Sequence, residues 1–596
     1  MNIAEIIAKE IDKPVWCVEN VIKLYDEGCT IPFIARYRKE AHKGMDDTSL
    51  RTLEERLKYL RNLEARKAEV QKSIEEQGKI TEEIVKEIEK AQTLSEVEDI
   101  YRPFKQKRRT RASIAKEKGL EPLALTIYMQ DKNTPAPEIL AKKYVNSEKG
   151  VETAEDALLG ASDIIAEMIS DSSEIRKKLR EVYKKTGFIK SVAAKEEESV
   201  YEMYYDFTSL LSKIQGHQIL ALNRGEKEGF LKIKVSIDRD AALGTIEKMI
   251  IKGETSCTAF LKNAVADGYD RLLEPSMENE VRGDITEKAA EGAIHNFALN
   301  LKPLLMQPPV KGKVTMGLDP GYRMGCKVAV IDPTGKVLDT TVVYPTHGEQ
   351  KMAESMDILT KMIKKHKVEH IAIGNGTASR ETENMTALML KNCPGVSYMI
   401  VNEAGASVYS ASKLAAEEFP EYDVNLRSAV SIARRLEDPL AELVKIDPKA
   451  IGVGQYQHDM PQKKLEESLD AVVEDCVNAV GVDLNTASSS LLKRVSGLSA
   501  QTAKNIVDYR EENGAFTSRK QIMKVPKLGP KAFEQCAGFL RVPESKNVLD
   551  NTGVHPESYE AAEILLKICG YTLEDVKCGN VRDISEKVKK IGEEKS

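Results

Sequence analysis

Gly317-Leu-Asp-Pro-Gly-Tyr-Arg-Met-Gly-Cys-Lys-Val-Ala-Val-Ile-Asp332 is the stretch from which the architecture of this chain can be read. Residues 313–318 form a short apolar strand that runs into Asp319-Pro-Gly321. A second strand, 326–331, ends in Asp332-Pro-Thr-Gly335, a turn suited to a hairpin. A third strand follows over 337–344. The pattern then changes to a helix over 352–365, a strand over 368–374, a helix over 380–390 and a strand over 397–401, with further helices to about 445. Three antiparallel strands followed by helix–strand repeats predict an α/β domain of ribonuclease-H-like type.

Outward from this domain the chain is helical. Residues 1–300 read as almost entirely helical. Over 50–92 apolar residues recur at steps of three and four (Leu53, Leu57, Leu60, Leu63) without sustained heptads, so paired antiparallel helices are expected there. Composition shifts at Gln307-Pro-Pro-Val310. Beyond about 483 short helices alternate with glycine turns. At 596 residues the chain has room for about four domains. Charged residues are 31%, aromatics 5% and apolar types 41%, a helix-rich globular composition. No apolar run approaches the roughly 18 residues that span a bilayer, so no membrane partner is expected. The first twenty residues lack the apolar core of a secretory signal. The nine cysteines are scattered without a CxxC pair. A disulfide framework or structural zinc is therefore not expected, and a cytoplasmic location is. The net charge of −6 excludes a uniformly basic nucleic-acid coat but not local basic patches.

Ribonuclease-H-like nucleases gather two or three carboxylates at strand ends to hold divalent metal, which activates water. Asp319 fits the end of the first central strand, and Gly321 is expected to turn the backbone sharply into the hairpin. Ile373-Gly-Asn-Gly-Thr-Ala378 and Val401-Asn-Glu-Ala-Gly-Ala-Ser407 are two further strand ends. In the first, glycine and asparagine are expected to allow close approach of a ligand backbone. Asp319, Asn375 and Glu403 would gather at one rim, where open α/β sheets bind ligands. Val495-Ser-Gly-Leu-Ser-Ala-Gln-Thr-Ala503 and Val525-Pro-Lys-Leu-Gly-Pro-Lys-Ala532 each open a helix after a glycine turn. Such helix–hairpin–helix elements present backbone N–H groups to a phosphate without reading the base. Gly497, Ser499, Gly529 and Lys531 are the expected contacts. A basic loop, Tyr101-Arg-Pro-Phe-Lys-Gln-Lys-Arg-Arg-Thr-Arg-Ala112, interrupts the helical part, and Pro103 disfavours a continuous helix through it. Lys105, Lys107, Arg108, Arg109 and Arg111 form either a solvated face or a phosphate-binding edge. His366 and His370 are read as surface residues. His458 lies in a polar loop that packs under the site or lines it. Trp16 and Phe33 are read as core. No serine or cysteine nucleophile arrangement is present.

Six segments together resemble the Tex family of bacterial transcription accessory proteins. They are Asp26-Glu-Gly-Cys-Thr-Ile-Pro-Phe-Ile-Ala-Arg-Tyr-Arg-Lys-Glu-Ala41, Glu98-Asp-Ile-Tyr-Arg-Pro-Phe-Lys105, Ala221-Leu-Asn-Arg-Gly-Glu-Lys-Glu228, Gly452-Val-Gly-Gln-Tyr-Gln-His-Asp459, Asp470-Ala-Val-Val-Glu-Asp-Cys-Val-Asn478 and Val554-His-Pro-Glu-Ser-Tyr559. They occur in order across nearly the whole chain. The resemblance implies a multidomain, mainly α protein with one α/β domain. It implies an N-terminal helical domain with a helix-turn-helix-like unit over 1–195 and a central helical connector over 196–310. A RuvC/YqgF-like ribonuclease-H-fold domain covers 311–445, a helical linker 446–482, and tandem helix–hairpin–helix motifs 483–555. A helical segment and polar tail complete the chain over 556–596. Family members bind nucleic acid, RNA in particular, and act in transcription; a eukaryotic elongation factor shares the architecture. The family usually ends in an OB-fold RNA-binding module of roughly seventy residues, expected to begin where this sequence stops, and its lack should weaken binding.

Active nucleases of the RuvC/YqgF type keep a third acid at the start of the last helix. Here that position falls at about Asn425 in Asp423-Val-Asn-Leu-Arg-Ser-Ala-Val430, with Arg427 adding positive charge and Asp423 and Asp438 out of register. The site is expected to be degenerate, so no cofactor is expected, and the family is likewise regarded as lacking clear nuclease activity. The leading expectation is a non-catalytic factor that binds RNA and DNA, with residues 36–39 either secondary contacts or internal salt bridges. The first alternative is a nuclease using Asp319, Glu403 and Mg²⁺ or Mn²⁺. The second is a scaffold for RNA polymerase or ribosome-associated partners.

Overall fold

The computed structural model describes residues 2–105, 109–195 and 197–595. The chain divides into two compact units. One comprises Met1–Glu10 and Leu53–Ala293, the other Ile11–Thr52 and Ile294–Ser596.

The first unit is helical around a small sheet. From Leu53 on it contains the helix Asp47–Glu76, which runs unbroken for 30 residues. The helix Glu82–Lys90, capped by the Thr81 side chain, follows it. Its Glu89 carbonyl accepts a hydrogen bond from Lys67 Nζ at 3.1 Å. As Pro103 dictates, the helix Leu94–Tyr101 gives way to a single tight turn, Arg102–Phe104. Arg176 is 1% exposed and pairs with Asp99 at 2.8 Å and Glu280 at 2.6 Å; Arg180 joins the same two carboxylates. Two buried charges, Arg176 and Asp99, and two half-buried ones, Arg180 and Glu280, therefore satisfy one another. The reading of residues 1–300 as almost entirely helical is corrected by three strands, β1 (Phe188–Ala193), β2 (Asp206–Leu210) and β3 (Leu231–Ser236). They form an antiparallel sheet of order β2-β1-β3. Along β3, buried Leu231, Ile233 and Val235 alternate with exposed Lys232 and Lys234, a two-residue period that the lysines, good helix formers, disguise.

The second unit contains a five-stranded sheet of order β6-β5-β4-β7-β8, with β4 (Thr315–Asp319) at its centre. β5 (Cys326–Ile331) and β6 (Val337–Val343) extend it antiparallel on one side. β7 (His370–Gly374) and β8 (Ser397–Val401) extend it parallel on the other. β7 starts two residues later than the sequence suggests, because Lys367 caps the preceding helix with φ 55°. On one face Met316, Leu318, Val328 and Ile371 pack against Leu359, Met362, Met385 and Met389 of the helices Glu349–His366 and Ser379–Leu390. On the other face Ala329 and Ile331 meet Ala429, Val430 and Ala433 of the helix Val424–Glu437. Gly317 makes this second contact close. A methyl group there would overlap the Ala429 carbonyl oxygen and Ala433.

Beyond the sheet lie the helix Gln462–Val480 and the helices Ala500–Asn513 and Pro530–Cys536. The two-residue strands β9 (Val482–Asp483) and β10 (Leu540–Arg541) pair in parallel beside them. Phe33 is buried, as its sequence context suggests. Trp16 is not core: it is 48% exposed. The helix Val15–Asp26 buries Cys17, Val18 and Val21, and Trp16 falls off that stripe. Among the described residues no helix is long and apolar enough to cross a membrane.

Candidate nucleic-acid interface

Three places carry the residues singled out by the sequence: the rim of the five-stranded sheet, the paired hairpins and the basic loop of the first unit. At the rim, Asp319 ends β4 and its carboxylate accepts a hydrogen bond from the Ser428 hydroxyl. Burial raises the Asp319 carboxyl above its ordinary range, against the opposing pull of Ser428 and Lys327. Glu403 stands in the turn after β8. Arg435 holds that turn by donating from Nη1 to the Asn402 carbonyl at 2.7 Å and the Ala404 carbonyl at 2.9 Å. The Glu403 N–H donates to Asn375 Oδ1 at 3.0 Å. Burial, and then the Asp319 charge, push the Glu403 carboxyl up as well.

Gly374 and Gly376 lie so close beneath Glu403 that a methyl group on either would overlap its carboxylate. The room those glycines make is therefore taken by Glu403 itself, not left for a ligand backbone. Gly321 also has another role than expected. The left-handed residue of the hairpin is Gly325, with φ +71°, and Gly321 only makes room for the Gly325 carbonyl.

Asn425 is exposed, and its backbone carbonyl accepts from Ser428 Oγ at 2.8 Å. The side chain turned to Asp319 is thus Ser428, one helical turn on, which the sequence reading missed. Asp423 caps its helix by accepting from the Leu426 N–H at 2.8 Å. Asp438 accepts from the Ala441 N–H and pairs with Lys311 at 3.0 Å. A pair of metal ions needs more than two carboxylates and a hydroxyl, and among the described residues no group of three metal-binding side chains forms. The donor set therefore does not fit the two-metal chemistry of nucleases of this fold. His458 is exposed. His366 bonds Asp339 and His370 bonds Ser397, so the two do not share a site.

The hairpins repeat each other bond for bond. In the first, the Val495 and Leu498 N–H groups donate to Leu492 and Val495 carbonyls; in the second, Val525 and Leu528 donate to Ile522 and Val525. This register aligns Gly497 with Lys527 and Ser499 with Gly529. Gly497 has φ +78° and Lys527 φ +65°, so both occupy the left-handed position of the turn. Gly529 is not a turn glycine: it caps the helix Pro530–Cys536 with φ −80° and open space around it. A serine at each glycine separates these roles. Gly497→Ser strains the backbone and pushes against Gln535, and should cost about 1–3 kcal/mol. Gly529→Ser supplies the cap that Ser499 already gives the first hairpin, and should change stability by less than about 0.5 kcal/mol or raise it. Thermal unfolding of the two variants checks the assignment.

Asn505 Nδ2 donates to the Pro526 carbonyl at 2.7 Å and ties the two hairpins together. Ser499 is engaged in a capping box with Thr502. Lys531 donates to the Glu27 carbonyl, and Gln535 donates to the Gly28 carbonyl at 2.9 Å. Two of the four expected contacts are therefore committed within the fold. The uncommitted groups are lysines that the sequence reading passed over. Lys493, Lys504, Lys520, Lys524 and Lys527 are exposed, and no ion pair engages them among the described residues. The adjacent Arg494, by contrast, pairs with Asp470 at 2.7 Å. The signal was there to read: residues 519–533 contain no acid.

The basic loop of the first unit differs. Lys105 is paired with Glu98, and Arg109 lies 3.4 Å from Glu117. Arg111 opens the helix Arg111–Glu117. Lys107 and Arg108 lie outside the described residues. The loop's charge is partly spent internally.

Comparison with known proteins matches five stretches of the chain. Residues 1–75 match the Tex-like protein N-terminal domain, 132–297 a Tex central region-like domain and 313–437 the Tex protein YqgF-like domain. Residues 477–541 match a helix-hairpin-helix motif and 547–595 an HHH domain. The transcriptional accessory protein Tex of Neisseria gonorrhoeae is 47% identical over 99% of this chain and 78% of its own length. The chain belongs to the Tex family. An uncharacterized protein of Bacillus subtilis, YdcI, is 50% identical over 98% of this chain and 83% of its own length. The human S1 RNA-binding domain-containing protein 1 is 37% identical over 96% of this chain and 64% of its own length.

The segments that resemble the Tex family are largely structural here. Tyr37 packs edge-on against Phe539, 5.0 Å between ring centres, and a methyl group on Gly538 would overlap its ring. Arg38 stacks 4.7 Å over Phe33 and pairs with Glu534 at 2.7 Å and Glu557 at 2.6 Å. Internal salt bridging is therefore what Arg38 does. In the 452–459 segment, buried Gln457 donates to the Lys449 and Ile451 carbonyls and accepts from the Val453 N–H.

Proposed function

We propose that this Tex-family chain is a nucleic-acid-binding accessory factor of transcription. It grips phosphates through its tandem hairpins and carries out no hydrolysis of its own. The observation that carries the reading is the set of five exposed lysines, without an ion pair among the described residues, around two hairpins that are locked together. Phosphate contacts carry no sequence information, so RNA and DNA are both partners. The free state of all nine cysteines fits a reducing cytoplasm. The role in transcription rests on the names of the relatives.

The test is a fluorescence-anisotropy titration of the 596-residue chain with single-stranded RNA, single-stranded DNA and duplex DNA at two salt concentrations. Five phosphate contacts would give a log–log salt slope of about −3.5 to −4.5. Salt-insensitive binding would overturn the phosphate grip and favour a protein scaffold. Cleavage appearing with Mg²⁺ or Mn²⁺ would overturn the non-catalytic reading.

A further inference from the structure

We infer that the corner of the α/β domain next to Asp319 is a stacking platform for unpaired bases of a single-stranded nucleic acid. The inference rests on the reading above only for the class of ligand. Two loops build the corner. Residues 320–325 join β4 to β5, and residues 344–348 join β6 to the helix Glu349–His366. The pairing of Cys326 with Val343 sets them side by side.

In a chain with only 5% aromatic residues, Tyr322 is 47% exposed and Tyr344 40% exposed, and His347 is exposed beside them. Met324, 67% exposed, adds a polarisable thioether. The rings are held before any ligand arrives. Tyr344 and His347 meet edge-on with centres 5.2 Å apart. The Tyr344 N–H donates to Ser355 Oγ at 3.0 Å. Tyr322 Oη donates to Glu381 Oε1 at 2.7 Å, and Thr346 Oγ1 donates to the Tyr322 carbonyl at 3.4 Å. Gly325 lies directly on the Tyr344 ring: a methyl group there would sit 2.8 Å from a ring carbon. Rings ordered in advance lose little conformational entropy on binding.

The charge around them matches a polyanion. Arg323 and Arg380 are exposed, with no ion pair among the described residues, and a guanidinium plane both stacks on bases and neutralises phosphates. Of the acids beside the two loops, Glu381 is occupied by the Tyr322 hydroxyl and Glu354 pairs with Lys351 at 2.7 Å, while Glu349 opens the helix that follows the second loop. Bases inside a duplex have no free faces, so the platform selects single strands.

The experiment uses the full chain and a 5-bromouridine-substituted RNA of about 16 nucleotides, a length within the usual range of single-strand sites. Photocrosslinked peptides should contain residues 320–325 or 344–348. The double variant Tyr322→Ala/Tyr344→Ala should bind the single strand about tenfold to a hundredfold more weakly and a duplex of equal length unchanged. Tyr322→Phe keeps the ring and should retain affinity. Crosslinks confined to other segments, or unchanged single-strand affinity in the double variant, overturn the platform and leave the lysine-lined hairpins to be judged by their own salt dependence. Equal losses for single strand and duplex overturn it too, because stacking acts on unpaired bases alone.

Discussion

Exchanging Lys520, Lys524 and Lys527 together for glutamine lowers nucleic-acid affinity about a hundredfold at 0.1 M salt and reduces the salt slope by roughly 2 to 3 units. Glutamine keeps polarity and much of the side-chain length, so the change removes charge and little else. All three lysines are exposed and none is ion-paired among the described residues, so stability should move by less than about 0.5 kcal/mol. The loss should be the same for different base sequences, since phosphates are alike along a strand. Lys105→Gln is the control. Its ammonium already pairs with Glu98, and its removal should cost affinity far less. Anisotropy titrations of both variants over a salt series decide the matter; an unchanged slope in the triple variant would remove the hairpins from the interface.

Gly317→Val should destabilise the α/β domain by about 3 kcal/mol. Gly317 lies on the central strand, buried, and the space a side chain would need is filled by the Ala429 carbonyl and Ala433. Both obstacles belong to a helix, whose backbone cannot rotate aside as a long side chain can. The helix must lift away from β4 or the strand must bend, and either movement pulls Ser428 from Asp319. Hydrogen exchange read by mass spectrometry should show amides of β4, β5 and the helix Val424–Glu437 opening about a hundredfold faster, with amides of β1 to β3 unchanged.

The α/β domain was legible because each of its strands is a short apolar run closed by a turn. Every predicted strand there has its counterpart, down to the Asp332-Pro-Thr-Gly335 turn, where Asp332 Oδ1 accepts from the Thr334 and Lys336 N–H groups. The small sheet was hidden because β3 interleaves lysines with apolar residues, and β1 carries Lys190 and Ser191 at its middle, inside a helical context. The rim could be placed from strand ends alone, so Asp319 and Glu403 were found, but Ser428 required knowing which turn of the final helix faces the strand. At the hairpins the glycines misled. Sequence similarity pairs Gly497 with Gly529, whereas the backbone pairs Gly497 with Lys527, a left-handed lysine that no composition rule announces. The free lysines went unnoticed for a related reason. Whether a surface cation is available depends on which carboxylates fold up beside it, as Arg38 and Arg494 show from the opposite side.

The bond from Asn505 to the Pro526 carbonyl has a consequence for how a strand is held. Two weak grips on a flexible tether would search for their phosphates independently, and each would pay its own ordering entropy. On the proposed phosphate grip, two hairpins fixed to one another would act as a rigid two-pronged clasp: once one prong is seated, the other is already at high local concentration over its target. Such a clasp would release slowly without recognising any base, and it would favour backbones whose phosphates match its span.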